Sequence, residues 1–248
     1  VAQEVACFRQ IYNKKNKKVW LIQKLTNTES FSSYGISENG LFQLYNYLLE
    51  AKPGFFYGYA SAWVILSEFL IRNNLVLNYK PKSLYSTAEV LLPQQRDLIQ
   101  RALGVDVYDV YGLNDSGASA HECELHQGMH IDYERSILQI VNDDGDVVQD
   151  GTGRVIATSL RNYAMPFLRY DTGDIATVSS VPCECGRHTP RLTKIDGRST
   201  DYLYVAGHYI GSPVLTVLMG QFDVKAYRII QEDSSVVHIH VVVSSDIF

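Results

Sequence analysis

Two short runs in the second half of the chain carry residue types suited to holding a nucleotide. Arg169-Tyr-Asp-Thr-Gly-Asp174 ends in a carboxylate that follows a tight glycine turn, and Gly197-Arg-Ser-Thr-Asp201 places a guanidinium directly after a glycine. A carboxylate at Asp174 can accept bonds from two neighbouring hydroxyls, as on a ribose. The guanidinium of Arg198 can meet a phosphate in its fork geometry. Thr-Gly-Asp is also a common β-turn, so either half alone is weak evidence and the pair is stronger.

A second set combines sulfur and imidazole. His121, Cys123, His126 and His130 lie close together in sequence, and Cys183-Glu-Cys185-Gly-Arg187 follows later. Thiolates and imidazoles are the usual zinc ligands, and four of them close a structural tetrahedral site. The segment Gly128-Met-His-Ile131 reads as the start of a strand that could face the Cys-x-Cys loop. His130 is therefore the expected fourth ligand beside Cys123, Cys183 and Cys185, with His126 as the alternative. The competing reading leaves Cys123 as a small buried hydrophobe and the histidines exposed. A zinc hydrolase would want an open site such as His-Glu-x-x-His, and only the clustered histidines point that way.

The elements that must position these groups come from 248 residues, enough for one large domain or one domain with a smaller companion. A net charge of -5 argues against a general nucleic-acid binder, which needs a basic face. The run Lys14-Lys-Asn-Lys-Lys18 reads as a solvated turn. No stretch approaches the ~20 apolar residues of a membrane helix, so no membrane partner is expected. Four cysteines suit a reducing, cytoplasmic setting. The chain begins at Val1 rather than Met, and a trimmed start or a piece of something longer is the expectation.

Helical spacing follows a cap at Ser37, with Leu41, Leu44, Tyr45 and Leu48 on one face. Pro53-Gly54 ends that helix, Phe55 to Tyr59 reads as a buried strand, and Ser61 is expected to cap a helix over Ala62 to Arg72. Leu84 to Thr87 is a strand, Pro93 opens a helix that Gly104 closes, and Val105 to Val110 is the next strand. Strand and helix alternating in this way predict an α/β layer with a mainly parallel sheet. Ligands in such sheets sit at the carboxyl ends of the strands, here the loops Ser86 to Glu89 and Tyr111 to Ser116. From Ser136 the pattern turns β-rich, with strands over Ile137 to Val141, Arg154 to Thr158 and Ile175 to Val178. After Arg198 a small α+β unit begins: a strand over Asp201 to Val205, a helix from about Pro213 to Gly220, then strands over Tyr227 to Gln231 and Val236 to Val243.

Six segments in order carry a family resemblance. They are Tyr57-Gly-Tyr-Ala-Ser61, Ser86-Thr-Ala-Glu89, Tyr111-Gly-Leu-Asn-Asp115, Asn162-Tyr-Ala-Met-Pro-Phe-Leu-Arg-Tyr-Asp-Thr-Gly-Asp174, Cys183-Glu-Cys-Gly-Arg187 and Gly197-Arg-Ser-Thr-Asp201. Together they resemble the AMP-forming adenylating (acyl-CoA synthetase) superfamily, most closely its phenylacetate–CoA ligase and CapK-type branch. CapK-type members are associated with capsular polysaccharide loci. The resemblance implies a partial mixed α/β adenylating core over residues 1–197, α/β to about 135 and β-rich over 136–197. A hinge and an incomplete small C-terminal α+β domain over 198–248 would follow.

The resemblance also implies roles. Ser86, Ala88 and Glu89 would border the adenine of ATP or AMP, and Tyr111 would stack on it. Gly112 would let the backbone approach, and Asn114 would lie in the same loop. Asp174 would take the ribose hydroxyls. Asp115 would hold magnesium and Arg198 would approach the phosphate; these two are the residues expected to act on the reaction itself. Thr200 and Asp201 would lie at the hinge. Zinc at Cys123, His130, Cys183 and Cys185 would match the branch. The implied chemistry joins a small-molecule carboxylic acid to AMP and passes the acyl group to a thiol such as coenzyme A. Tyr57, Tyr59 and Trp63 could line the acyl pocket or serve as ordinary core aromatics.

Asn114 and Asp115 replace a more usual Thr and Glu, and Thr200 replaces a common acidic hinge residue. Nothing before Val19 resembles the family's phosphate loop, and its C-terminal lysine has no match, so the chain reads as truncated at both ends. The expectation is a near-inactive segment of an adenylating enzyme. The alternative is a non-catalytic nucleotide- or zinc-binding scaffold in polysaccharide biosynthesis.

Overall fold

The computed structural model describes residues 5–9, 28–32, 37–113, 116–198, 202–205, 208–211, 215, 219, 222, 224–233 and 236–243. Contacts divide the chain into two compact units, Val1–Gly112 with Ser119–Met129, and Leu113–Ala118 with His130–Phe248. The boundary expected at 197/198 lies inside the second.

In the first unit, β1 (Val5–Arg9), β2 (Thr28–Ser32), β3 (Phe55–Tyr59), β4 (Ser83–Thr87) and β5 (Val107–Gly112) form the parallel order β2-β1-β3-β4-β5. The short β6 (Ser119–Glu122) adds to β5 antiparallel. Among the described residues three helices accompany the strands: α1 (Glu38–Ala51), α2 (Ala60–Arg72) and α3 (Pro93–Leu103). Ser37 caps α1 as expected, its Oγ accepting from the N–H of Gly40 at 3.2 Å. Pro93 opens α3, and Gly104 ends it in the left-handed region (φ 64).

Alternation along the strands sends Phe56, Leu84 and Val107 into one core with Leu48, Trp63, Leu66 and Ile99. The intervening Tyr57, Tyr85 and Tyr108 are register partners on the opposite face, where the rings of Tyr85 and Tyr108 stack 5.6 Å apart. Trp63 is fully buried, with its ring stacked on Phe56 at 5.0 Å. It is a core aromatic, whereas Tyr57 is exposed.

The three-residue β7 (Met129–Ile131) leads into the second unit. There β8 (Ser136–Val141), β9 (Val147–Val148), β10 (Gly151–Ser159), β11 (Tyr170–Ser179) and β12 (Arg191–Arg198) form the antiparallel order β12-β11-β10-β8-β9. Among the described residues two hairpins follow, β13 (Tyr202–Val205) with β14 (His208–Gly211), and β15 (Val224–Gln231) with β16 (Val237–Val243). At Gly153 of β10 the neighbouring backbone is very close: a β-carbon there would lie 2.2 Å from the carbonyl oxygen of Val141. The Lys14–Lys18 run and most of the helix expected from Pro213 lie outside the described residues. Among the described residues no helix is long and apolar enough to cross a membrane.

Candidate functional site

Parallel strands β4 and β5 both end where the sequence places nucleotide-contacting loops. Ser86 is fully buried near the end of β4, and its Oγ finds no hydrogen-bond partner among the described residues. A buried hydroxyl left in this way costs free energy. Ala88, just past the strand, adopts a left-handed conformation (φ 65), unusual for a residue with a β-carbon, so the chain turns sharply. Tyr111 is half-buried and Gly112 exposed at the end of β5.

Glu89 has a partner that the sequence did not suggest. Its carboxylate accepts from the backbone N–H of Ser61 at 2.7 Å and from the Ser61 hydroxyl at 2.8 Å. Helix α2 starts two residues earlier than expected, at Ala60, and Ser61 donates to Glu89 instead of capping the helix. The residue flanking the start, Tyr59, has no side chain able to accept a capping bond, and none is made.

Behind this loop lies a polar cluster that sequence reasoning missed. Glu122 of β6 accepts both Arg96 Nη atoms, at 2.8 and 2.9 Å, and the N–H of Asp109 at 2.8 Å. Arg96 also donates to the carbonyl of Val107. The carboxyl of Asp109 is pushed up to about 7, first by burial and then by the charge of Glu122. Arg96 and the N–H groups of Val110 and Leu91 pull the other way. The available signal was an aspartate inside an apolar strand, a residue type depleted there. His126, the alternative zinc ligand, instead lies 2.9 Å from Glu122 through Nδ1, with its ring tilted against Tyr108.

In the second unit the Thr-Gly-Asp turn is built as the sequence implied. Gly173 takes φ 77, its N–H reaching Asp171 Oδ1 at 3.1 Å. The N–H of Asp174 donates to Thr172 Oγ1 at 3.1 Å, and that hydroxyl donates to the Val155 carbonyl at 2.9 Å. Asp174 is buried and sits in register opposite Arg198. Arg169 is occupied elsewhere, donating through Nη1 to Gln139 Oε1 at 2.8 Å. Asn114, Asp115, Thr200 and Asp201 lie outside the described residues, as does the side chain of Arg198.

The sulfur–imidazole set comes together. Ligand atoms of Cys123, His130, Cys183 and Cys185 all lie within 4.8 Å of one another. His130, Cys123 and Cys183 are buried and Cys185 is half-buried. His130 Nε2 lies 3.4 Å from Cys185 Sγ, while Nδ1 lies 3.2 Å from Thr189 Oγ1. Gly186, at φ 87, turns the loop so that its N–H reaches the Cys183 carbonyl at 3.1 Å. Arg187 Nη1 approaches Cys185 Sγ at 3.5 Å. A tetrahedral zinc–thiolate site has ligand separations of about 3.8 Å, so this donor set fits such an ion with little adjustment.

No protein-family model matches the chain. It is 35% identical over 117 residues to a phenylacetate-coenzyme A ligase of Thermus thermophilus, covering 45% of this chain and 26% of that protein. It is 22% identical over 238 residues to the protein CapK of Staphylococcus aureus, covering 94% of this chain and 52% of that protein. The chain thus spans about a quarter to a half of these relatives' length. Among solved structures, a 2-hydroxyisobutyryl-CoA ligase in the postadenylation state, in complex with R3-HIB-AMP, matches with a TM-score of 0.73 at 21% identity. That match covers 96% of this chain and 54% of the other. An amide bond synthetase from Marinactinospora thermotolerans matches with a TM-score of 0.59 at 14% identity, covering 99% of this chain and 53% of the other.

Proposed function

Because this chain is a relative of the AMP-forming adenylating superfamily, in its phenylacetate–CoA ligase and CapK-type branch, we propose that the protein containing it activates a carboxylic acid with ATP. The acid becomes an acyl-adenylate with release of pyrophosphate. The acyl group then passes to a thiol such as coenzyme A. The observation that carries this reading is the loop geometry of β4 and β5. Two loops with nucleotide-type residues leave adjacent parallel strands at their carboxyl ends.

A carboxylate has no good leaving group, and the mixed anhydride with AMP supplies one. Ser86, Ala88, Tyr111, Gly112 and Asn114 border the adenine in this reading. Asp174 binds the ribose, its backbone fixed by the Thr172 and Gly173 turn. Arg198 offsets charge on the phosphate, and Asp115 is the residue that would hold magnesium, which lowers the charge on the departing pyrophosphate. Cys123, His130, Cys183 and Cys185 would hold a structural zinc, with no open position for chemistry.

The test is to assay the full-length protein for AMP release against a panel of carboxylic acids, with and without coenzyme A. Acid-dependent AMP formation is expected. Binding of AMP with no turnover on any acid would favour the nucleotide- and zinc-binding scaffold.

A further inference from the structure

We propose that Glu89 is a positioning residue of the nucleotide site, holding the Ser86–Glu89 loop against the first turn of α2; the inference rests on the adenylating reading above. Helix α2 has four N-terminal N–H groups to satisfy and no capping side chain of its own. Glu89 supplies the cap from a different element. Its two carboxylate oxygens take the N–H and the hydroxyl of Ser61, at 2.7 and 2.8 Å. An anion at a helix N-terminus is also favoured by the helix dipole.

The chain just past the loop is held as well, and the loop's other end is the paired strand β4. The N–H of Leu91 donates to the Asp109 carboxyl, and Asp109 stands two residues before Tyr111 on β5. Ala88 lies between the end of β4 at Thr87 and the Glu89 tie, held in a left-handed conformation that an untethered alanine rarely adopts. A loop fixed at both ends presents its backbone to a purine without first being ordered. Ordering a free loop would instead weaken binding by the fraction of time it spends in the competent shape.

The tie has a second consequence. Ser61 ends the segment Tyr57–Ser61, and Glu89 ends the segment Ser86–Glu89. In the adenylating reading the first borders the acid and the second the adenine. Glu89 thus links the two substrate-facing segments, so filling one side steadies the other, a reciprocal coupling.

The experiment uses the full-length protein with three substitutions, Glu89→Ala, Glu89→Gln and Ser61→Ala. Hydrogen exchange reads the tie itself, and calorimetry with AMP reads its effect on the site. In Glu89→Ala the Ser61 amide and residues 88–91 should lose protection, and AMP should bind about tenfold more weakly. Glu89→Gln should recover most of both, because its amide oxygen still accepts from the Ser61 N–H, and Ser61→Ala should lose part of each. For a protein that turns over, the KM for ATP should rise while kcat at saturating ATP stays within about threefold. Wild-type affinity for AMP in Glu89→Ala, or equal losses in the Ala and Gln variants, overturns the inference and leaves the adenylating reading standing. Failure of the wild-type protein to bind AMP or ATP overturns the adenylating reading and this inference with it.

Discussion

Asp174 and Arg198 face each other in register across the antiparallel pair β11–β12. The residues assigned to the ribose and to the phosphate are thus fixed on one two-stranded ribbon. The other end of that ribbon is the connection carrying Cys183 and Cys185. Nucleotide-type residues and metal-type residues occupy opposite ends of a single piece of sheet.

Removing the carboxylate tests the first end. Asp174→Ala should weaken AMP binding at least tenfold, about 1.4 kcal/mol, while leaving the β11–β12 pairing intact. An AMP-dependent thermal shift equal to that of the wild type would count against the ribose role.

Metal analysis tests the second. The purified chain should carry about one zinc, and Cys183→Ser should lose it. Thr189→Val should release zinc roughly 10- to 100-fold faster, since the hydroxyl holds Nδ1 of His130 and leaves Nε2 for the ion. Arg187→Ala should act in the same direction, because its guanidinium lies against the Cys185 sulfur. Release is read with a colorimetric chelator, and zinc content unchanged by Cys183→Ser would remove the site.

A pH dependence follows from Asp109. Its carboxyl titrates near 7 in the folded chain against 3.8 ordinarily. Between those values the folded state keeps a proton that the unfolded state has lost, so this group's contribution to stability falls as pH rises. Asp109→Asn should remove that slope. Relative to the wild type it should gain roughly 1 kcal/mol or more on going from pH 5 to pH 8. Urea unfolding of both proteins across this range measures it, and parallel curves would refute it.

Gly153 gives a purely steric prediction. A methyl group there would collide with the Val141 carbonyl, which is backbone and cannot swing aside. Gly153→Ala should therefore destabilise the fold by roughly 1–3 kcal/mol, the range for overpacking, readable as a lower urea midpoint.

Much of this site was legible in the residues because the relevant physics is local. Ser37, Pro93, Gly104 and Gly173 each announce a cap or turn within a few positions, and all four occur as expected. His130 was favoured over His126 by its place at the start of a strand, and His130 lies in the Cys/His set. The start of α2 was misplaced because its cap comes from Glu89, 28 residues away in sequence. The Arg96–Glu122–Asp109 cluster escaped for the same reason: its members come from a helix and two strands, with no periodic spacing to expose them.

The two sheets also differ in how quickly they can form. In the second unit β10 pairs with β11 and β11 with β12, neighbours in the chain joined by the single loops 160–169 and 180–190, so pairing needs no crossover. In the first unit the parallel strands can pair only after intervening crossover segments are laid down, a slower route for topological reasons. The half a ribosome would release first is therefore the half that waits longer. For that interval its unpaired strand edges are exposed, and a chaperone would find its target in the strands β3 to β5.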